Sequence, residues 1–152
     1  MKKVKVITSS QAAELVKDND TITSIGFVSC AHPEALTKAL EKRFLETGSP
    51  KNLTYMYAAS QGKRDGRGGE HLAHEGLLKR IIIGHYQTVP AIGKLAVENK
   101  IEAYNCSQGT LVHWFRAWLV IKSVCLPILV SVPSSILVKA AASSMTLQRK
   151  TL

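Results

Sequence analysis

Through Ala117 the chain alternates short apolar runs with Gly, Pro, Asn and Asp punctuation, and each run has a readable period. Ala12, Ala13, Leu15 and Val16 have helical spacing after a cap at Ser9 or Ser10, and Asp18-Asn19-Asp20 stops them. Thr21 to Ile25 is short and β-branched, which predicts a strand ending at Gly26. His32-Pro33-Glu34 opens a helix with proline in its first turn. Leu36, Ala39, Leu40 and Phe44 share one face of it, and Gly48-Ser49-Pro50 closes it. Leu53 to Ala58, Ile81 to Ile83 and Ile101 to Tyr104 read as further strands, with helices from about Val89 to Asn99 and from about Gly109 to Arg116 between or after them. Strands alternating with helices require crossover connections. The pattern therefore predicts an α/β fold, a partial, open, mostly parallel sheet flanked by helices.

At Ala117 the pattern changes. From Trp118 to Leu152 there is no Asp or Glu, Pro127 and Pro133 interrupt an apolar run, and no helical or strand period persists. The expected organisation is an incomplete α/β domain over residues 1–117 and a tail over 118–152 that forms no domain. Trp118 to Val138 is the one stretch apolar enough to consider as a membrane span, and Lys122 with the two prolines argues against it. No membrane association is expected.

Composition adds two constraints. The 152 residues carry a formal charge of +9, a balance that can indicate a polyanionic partner. Here Lys122, Lys139, Arg149 and Lys150 lie in the acid-free tail, and the other bases are interspersed with carboxylates. With no basic run interleaved with aromatics, no nucleic-acid partner is expected. Cys30, Cys106 and Cys125 are odd in number and lack zinc-site spacing, so they read as reduced thiols of a cytoplasmic protein.

In parallel sheets the chemistry gathers in the loops at the carboxyl ends of the strands. Gly26-Phe27-Val28 follows one strand, and its glycine allows backbone N–H groups to approach a ligand or an oxyanion. Ser60-Gln61-Gly62 and Ser107-Gln108-Gly109 repeat one tripeptide at two strand ends. They read either as two side chains aimed at one cleft or as ordinary turn and cap chemistry. The glycine-rich segment from Gln61 to Glu75 contains Lys63, Arg64 and Arg67 and could cradle a phosphate, although it is neither a Walker A loop nor a GxGxxG motif. His71 and His74 would share a helical face but lack a defined third ligand, so capping or packing is expected of them and no metal site.

Five stretches carry a more specific signal: SIGFVSCAHPEAL from Ser24, EKRFLETGSPKNLTY from Glu41, SQGKRDGRGGEHLAHEGLLKR from Ser60, TVPAIGKLAVENKIEAYNCSQG from Thr88 and HWFRA from His113. In these, residues 1–117 resemble the N-terminal part of family I CoA-transferases, nearest to the fused acetate, propionate or short-chain acyl-CoA transferases. The resemblance implies a Rossmann-like CoA-transferase fold and transfer of CoA from a short-chain acyl-CoA to a small carboxylic acid through a glutamyl-CoA thioester. It implies no further cofactor, and homo-oligomers among full-length relatives. It also implies acyl-CoA-binding roles for Gly26, Phe27, Val28, Gln61, Gln108 and Gly109. The family's nucleophilic glutamate sits in a Glu-Asn-Gly or Glu-Gly turn of a C-terminal half that this sequence does not contain. Glu98-Asn99 imitates that turn, but Lys100 replaces the glycine. No catalytic residue is therefore assigned, and the chain is expected to be inactive alone. The alternative is an acyl-CoA-binding or regulatory half-site protein, or a subunit completed by a separate glutamate-bearing chain.

The tail has its own reading. Taken from the third base of each codon, the segment around Leu126 to Val138 permits F-T-D-I-G-L-G-T-F-I-D-P-R, and Lys139 to Lys150 permit Q-G-G-G-K-L-N-D-V-T-K-E, both similar to the family's continuation. The first base of each shifted codon is chosen to favour the match, whereas the others follow largely from the residues. At Met145 nothing is open: its codon ends in G, Thr146 begins AC, and Asp is forced. Residues 118–152 are thus expected to be a frameshift product of a truncated CoA-transferase gene.

Overall fold

Among the described residues every neighbouring pair of strands is parallel, and the strands lie side by side in sequence order. The computed structural model describes residues 6–28 and 30–120, with side chains through residue 116. Its elements are α1 (Ser9–Glu14), β1 (Thr21–Thr23), α2 (Glu34–Thr47), β2 (Leu53–Tyr57), a 3₁₀ turn (Gly68–Leu72), β3 (Leu78–Ile83), α3 (Pro90–Val97), β4 (Glu102–Asn105) and α4 (Gln108–Val120). The predicted α/β architecture is present: a four-stranded parallel sheet with helices on both faces.

The two-residue period of the strands divides the core. Tyr55, Tyr57, Ile81 and Ile83 face a cluster with Ala13, Leu40, Leu72 and Ile92, supplied by α1, α2, the 3₁₀ turn and α3. Met56 and Ile82 face the opposite side, where Cys106 and the α4 residues Leu111 and Trp114 cover them. β2 and β3 are buried on both faces along most of their length, and each fully buried large side chain contributes about 1.5–3 kcal/mol. β1 and β4 are edges and are mostly exposed. Arg80 tolerates a place in β3 because its register partner is Glu102 of β4, whose carboxylate accepts from Arg80 Nε at 2.6 Å.

Several boundaries differ from expectation for local reasons. α1 is capped by Thr8, not by Ser9 or Ser10. Thr8 Oγ1 accepts from the Gln11 amide at 3.2 Å while Gln11 Oε1 accepts from the Thr8 amide at 3.0 Å, a reciprocal pair that sets the start one residue earlier. α2 ends as predicted, with Gly48 left-handed at φ 69°. Leu36, 46% exposed, lies at the rim of the face it shares with Leu40, where both line a small cavity against α1. Arg43 ties α2 to α1 by donating from Nη1 to the carbonyls of Ala13 and Val16 at 2.5 and 2.7 Å, satisfying the end of the short helix. α4 runs to Val120, past the expected break at Ala117. The remainder of the tail, including Cys125 and most of the stretch considered as a span, lies outside the described residues. No helix among the described residues is long and apolar enough to cross a membrane.

The strand ends approach one another closely at Gly62. A Cβ there would stand 2.5 Å from the Thr88 carbonyl oxygen and 2.7 Å from Val89 Cγ1, so the segments after β2 and β3 can touch only across a glycine. Gly62→Ala is therefore expected to lower the unfolding free energy by about 1–3 kcal/mol in chemical denaturation. Gly109→Ala, where nothing lies within 4 Å of the added carbon, should leave stability unchanged or raise it, since alanine favours the helix.

Candidate functional site

Four parallel strands deliver their carboxyl ends to one rim, and the residues that follow them, Ser24 to Val28, Ala58 to Gly62, Gly84 to Thr88 and Cys106 to Gly109, form it. A cleft of about 770 Å³ opens there, lined by Thr23, Ser24, Ile25, Gly26, Ala58, Ala59, Gln61 and Phe115. Its walls are apolar apart from Ser24, Thr23 and Gln61, the usual make-up of a small-molecule site.

Gln61 is the centre of the polar part, and its side chain is nearly inaccessible at 1% exposure. Its Oε1 accepts from Ser24 Oγ at 2.6 Å and from His32 Nδ1 at 2.7 Å, and its Nε2 donates to the Ser24 carbonyl at 2.8 Å. Tyr55 OH lies 2.5 Å from Ser24 Oγ and completes the network from beneath. Burial pushes the Tyr55 hydroxyl up to about 12, against the opposing effect of its hydrogen bond with Ser24, so it remains neutral at ordinary pH and donates to Ser24 Oγ. The main chain of Gln61 is also engaged, its carbonyl accepting from the Gly69 amide at 2.5 Å. Gln61 thus joins three segments that are distant in sequence. Ser24, His32 and Tyr55, which the sequence reading did not single out, are its partners. Their sequence signal was membership in the family-like stretches from Ser24 and from Glu41, which assigned them no role.

The Gly26-Phe27-Val28 turn is held tightly. Phe27 and Cys30 exchange main-chain hydrogen bonds at 3.0 and 2.9 Å, and the Val28 amide donates to the Ser60 carbonyl at 2.8 Å. The amides of Phe27 and Val28 are therefore occupied within the protein. Gly26, at φ 134°, is packed so closely that a Cβ would stand 2.9 Å from the Cys30 carbonyl oxygen. Val28 and Ala31 are both left-handed at φ 57°, a conformation that costs a β-branched residue of order 1–3 kcal/mol and collects at functional loops. The turn carries Ile25 and Phe27 outward at 76% and 59% exposure, an apolar rim beside the cleft.

The two Ser-Gln-Gly turns are not equivalent. Ser60 and Gln61 are buried, with Ser60 Oγ bonded to Thr88 Oγ1. Gln108 and Gly109 are exposed at the start of α4, where Ser107 caps the helix by accepting from the Thr110 amide at 3.2 Å. The cleft is lined by Gln61 and not by Gln108, so the repeat does not aim two like side chains at one cavity.

The glycine-rich segment does not form an open phosphate cradle. The Gly66 amide donates to Glu70 Oε2 at 3.0 Å, the Gly68 amide to Glu34 Oε2 at 2.9 Å and the Gly69 amide to the Gln61 carbonyl. The protein's own carboxylates occupy the places an anion would take. Glu70 reaches on to the start of α3 and accepts from the Ala91 amide at 3.0 Å. Arg64 donates to the Gln87 carbonyl and Arg67 pairs with Asp65, which leaves Lys63 as the base of this loop with no hydrogen bond among the described residues. His71 and His74 are bonded to Glu34 and Glu41, and the described residues contain no group of three or more His, Cys, Asp or Glu arranged to hold a metal ion.

Glu98 is far from this chemistry in kind and place. It ends α3, four residues before β4 begins and so at the opposite end of the strands from the rim. It is exposed and is paired with Lys94 and Lys100 at 3.9 and 3.3 Å.

Comparison with known proteins gives these features a context. The chain is 34% identical over 116 residues to the acetate CoA-transferase YdiF of Escherichia coli K12, covering 76% of this chain and 22% of that protein. It is 30% identical over 112 residues to the caffeate CoA-transferase of Acetobacterium woodii, covering 74% of this chain and 21% of that one. The fold superposes on the crystal structure of the YdiF acyl-CoA transferase apoenzyme from Escherichia coli O157:H7 with a TM-score of 0.74 at 34% identity, covering 78% of this chain and 23% of the other. On a thioester complex of the same enzyme with CoA the TM-score is 0.72 at 33% identity, covering 76% and 24%. The chain thus spans about a fifth of the length of the relatives it matches. The Coenzyme A transferase family profile matches residues 6–117, from before α1 into α4 and so across the whole sheet and its rim, and the chain belongs to that family.

Proposed function

We propose that residues 6–117 are the acyl-CoA-facing N-terminal part of a short-chain acyl-CoA:carboxylate CoA-transferase that works through a glutamyl-CoA thioester. The observation that carries this reading is the apolar cleft at the strand ends, braced by Gln61 and bordered by the strained Gly26 turn, in a chain of this family. In the reaction a glutamate carboxylate attacks the thioester carbonyl and the CoA thiolate leaves, giving a mixed anhydride. The thiolate then attacks the glutamyl carbonyl and expels the free acid. An acceptor carboxylate reverses both steps.

This chain's share of that chemistry is positioning. Ile25, Ala58, Ala59 and Phe115 wall off water from the thioester end of the substrate. The Gly26 turn and the Gln108-Gly109 start of α4 bring main-chain N–H groups toward the developing oxyanion. The Gly26 and Gly109 amides serve this better than those of Phe27 and Val28, which are already bonded. Gln61, in the lining of the cleft, acts through Ser24 by fixing the turn. The nucleophile belongs to the part of the family's length that these residues do not span. A polypeptide of these 152 residues should show no acetyl transfer from acetyl-CoA to propionate under conditions where a full-length relative turns over. Transfer that survives purification and is abolished by Glu98→Ala would overturn the assignment of Glu98 as an exposed helix-end residue.

Residues 118–152 are read as the same gene translated out of frame. The absence of Asp and Glu follows from that reading, since shifted Asp and Asn codons emerge as Ile and Met, and Gly codons as Val and Ala. Sequencing the gene through and beyond codon 117 should reveal a continuous second frame encoding the family-like strings. An early stop in that frame, or codons that do not spell them, contradicts the reading.

A further inference from the structure

Behind the rim, α2 and the 3₁₀ turn meet across a cluster of charges that the acyl-CoA reading does not use. Glu34 and Glu41 are seven residues apart on α2, two helical turns, so their carboxylates project from one face. Between them lies the ring of His71, 8% exposed. His71 Nδ1 is 2.5 Å from Glu41 Oε2, and Nε2 is 2.7 Å from Glu34 Oε1. The remaining oxygens are taken as well: Glu34 Oε2 accepts from the Gly68 amide at 2.9 Å and Glu41 Oε1 from His74 Nε2 at 2.8 Å.

Proton counting decides the state of this ring. A neutral imidazole has one N–H and one lone pair, and a lone pair held 2.5–2.7 Å from a carboxylate oxygen is repulsive. With both carboxyls ionised, ring nitrogens at these distances must both donate. The cluster is then a carboxylate–imidazolium–carboxylate bridge whose ring is nearly buried while Glu34, at 42% side-chain exposure, reaches toward solvent.

We propose that doubly protonated His71 is a proton-operated lock that holds α2 against the Gly68–Leu72 turn and thereby sets the loops of the strand-end rim. The mechanical path is short. α2 begins two residues after His32, the residue that donates to Gln61. On the other side Gly68 and Gly69, in the turn that carries His71, bond to Glu34 and to the Gln61 carbonyl. Loss of the His71 proton leaves a ring able to donate to one carboxylate only, with the other facing a lone pair. The bridge then opens, and the two loops joined at Gln61 lose their common support. This inference goes beyond the acyl-CoA reading and stands independently of it.

The surroundings favour the charged ring. Burial alone pushes His71 toward neutrality, but the hydrogen bonds and charges of Glu34 and Glu41 outweigh it and raise its pKa above the ordinary histidine value. Burial likewise pushes Glu34 up, and the hydrogen bonds from His71 and Gly68, with the charges of His71 and His32, bring it below the usual carboxylate value. The other groups nearby are His74 on Glu41, Arg67 held by Asp65, and Glu70 turned toward the amides of Gly66 and Ala91. Because the folded pKa of His71 is raised, its stabilisation is complete below the unfolded value and is lost as pH rises through the folded one. The Glu34 contribution has the opposite sense, present above its unfolded value and lost as pH falls through the lowered folded one. The lock is closed between those limits.

The test uses the full chain. Long-range ¹H–¹⁵N correlation spectra of the histidine rings, followed from about pH 5 to about pH 9, report which ring nitrogens of His71 carry protons. Hydrogen–deuterium exchange, normalised to intrinsic rates, reports protection of segments 34–41 and 68–74 over the same range. Both nitrogens should be protonated at neutral pH, and protection of both segments should fall together as the ring titrates. In Glu41→Gln the midpoint should move down by about one to three pH units. In His71→Gln the pH dependence of protection should vanish. If His71→Gln does not fold, the Glu41→Gln shift and the wild-type ring spectra decide. A neutral His71 with one bare nitrogen at neutral pH, protection that ignores its titration, or an unshifted midpoint in Glu41→Gln overturns the proposal.

Discussion

One buried amide side chain holds the functional end of this protein together. Gln61 lies in the loop four residues past the end of β2, yet it binds Ser24 after β1, His32 before α2 and, through its carbonyl, Gly69 in the 3₁₀ turn. A parallel sheet brings strand ends to one rim but does nothing to fix the loops beyond them. That requires cross-links, and here they converge on a group that is 1% exposed. An unmet hydrogen bond at such depth costs about 1–3 kcal/mol, so the partners are effectively obligatory. The strained φ values at Val28 and Ala31 persist because the surrounding bonds over-determine the turn.

The same economy explains why the glycine-rich loop is not a phosphate loop. Its amides point inward and close on Glu34 and Glu70, so the loop serves as a brace between α2, α3 and the rim. At the strand-end rim the surface open to a ligand is the apolar cleft beside Gly26, together with the exposed start of α4. In the function proposed above, that division gives apolar walls to the acyl end and main-chain donors to the oxyanion.

Much of the fold could be read from the sequence because its signals are local. The β-branched and aromatic runs at Thr21, Leu53, Ile81 and Ile101 became β1 to β4 within a few residues, and Gly48 ended α2 as its αL preference requires. Positions in the site were legible and roles were not. Gly26, Gln61 and Gln108 all fall at strand ends, but nothing local distinguishes a buried brace such as Gln61 from an exposed residue such as Gln108 with the same neighbours. That difference arises from Ser24, His32 and Tyr55, which reach Gln61 only through tertiary packing. The carboxylates of Glu34, Glu41 and Glu70 were invisible for the same reason. Each looks like an ordinary helix or loop charge until the fold supplies a histidine or a row of amides opposite it.

The account rests on the claim that this rim is one half of an acyl-CoA site whose other half carries the glutamate. It is tested most directly by expressing the gene with its frame restored beyond codon 117, incubating the product with acetyl-CoA and examining it by intact-protein and peptide mass spectrometry. The account predicts a CoA adduct on a single glutamate in the restored half, together with acetyl transfer to propionate. A restored protein that folds but acquires no such adduct and transfers nothing contradicts it.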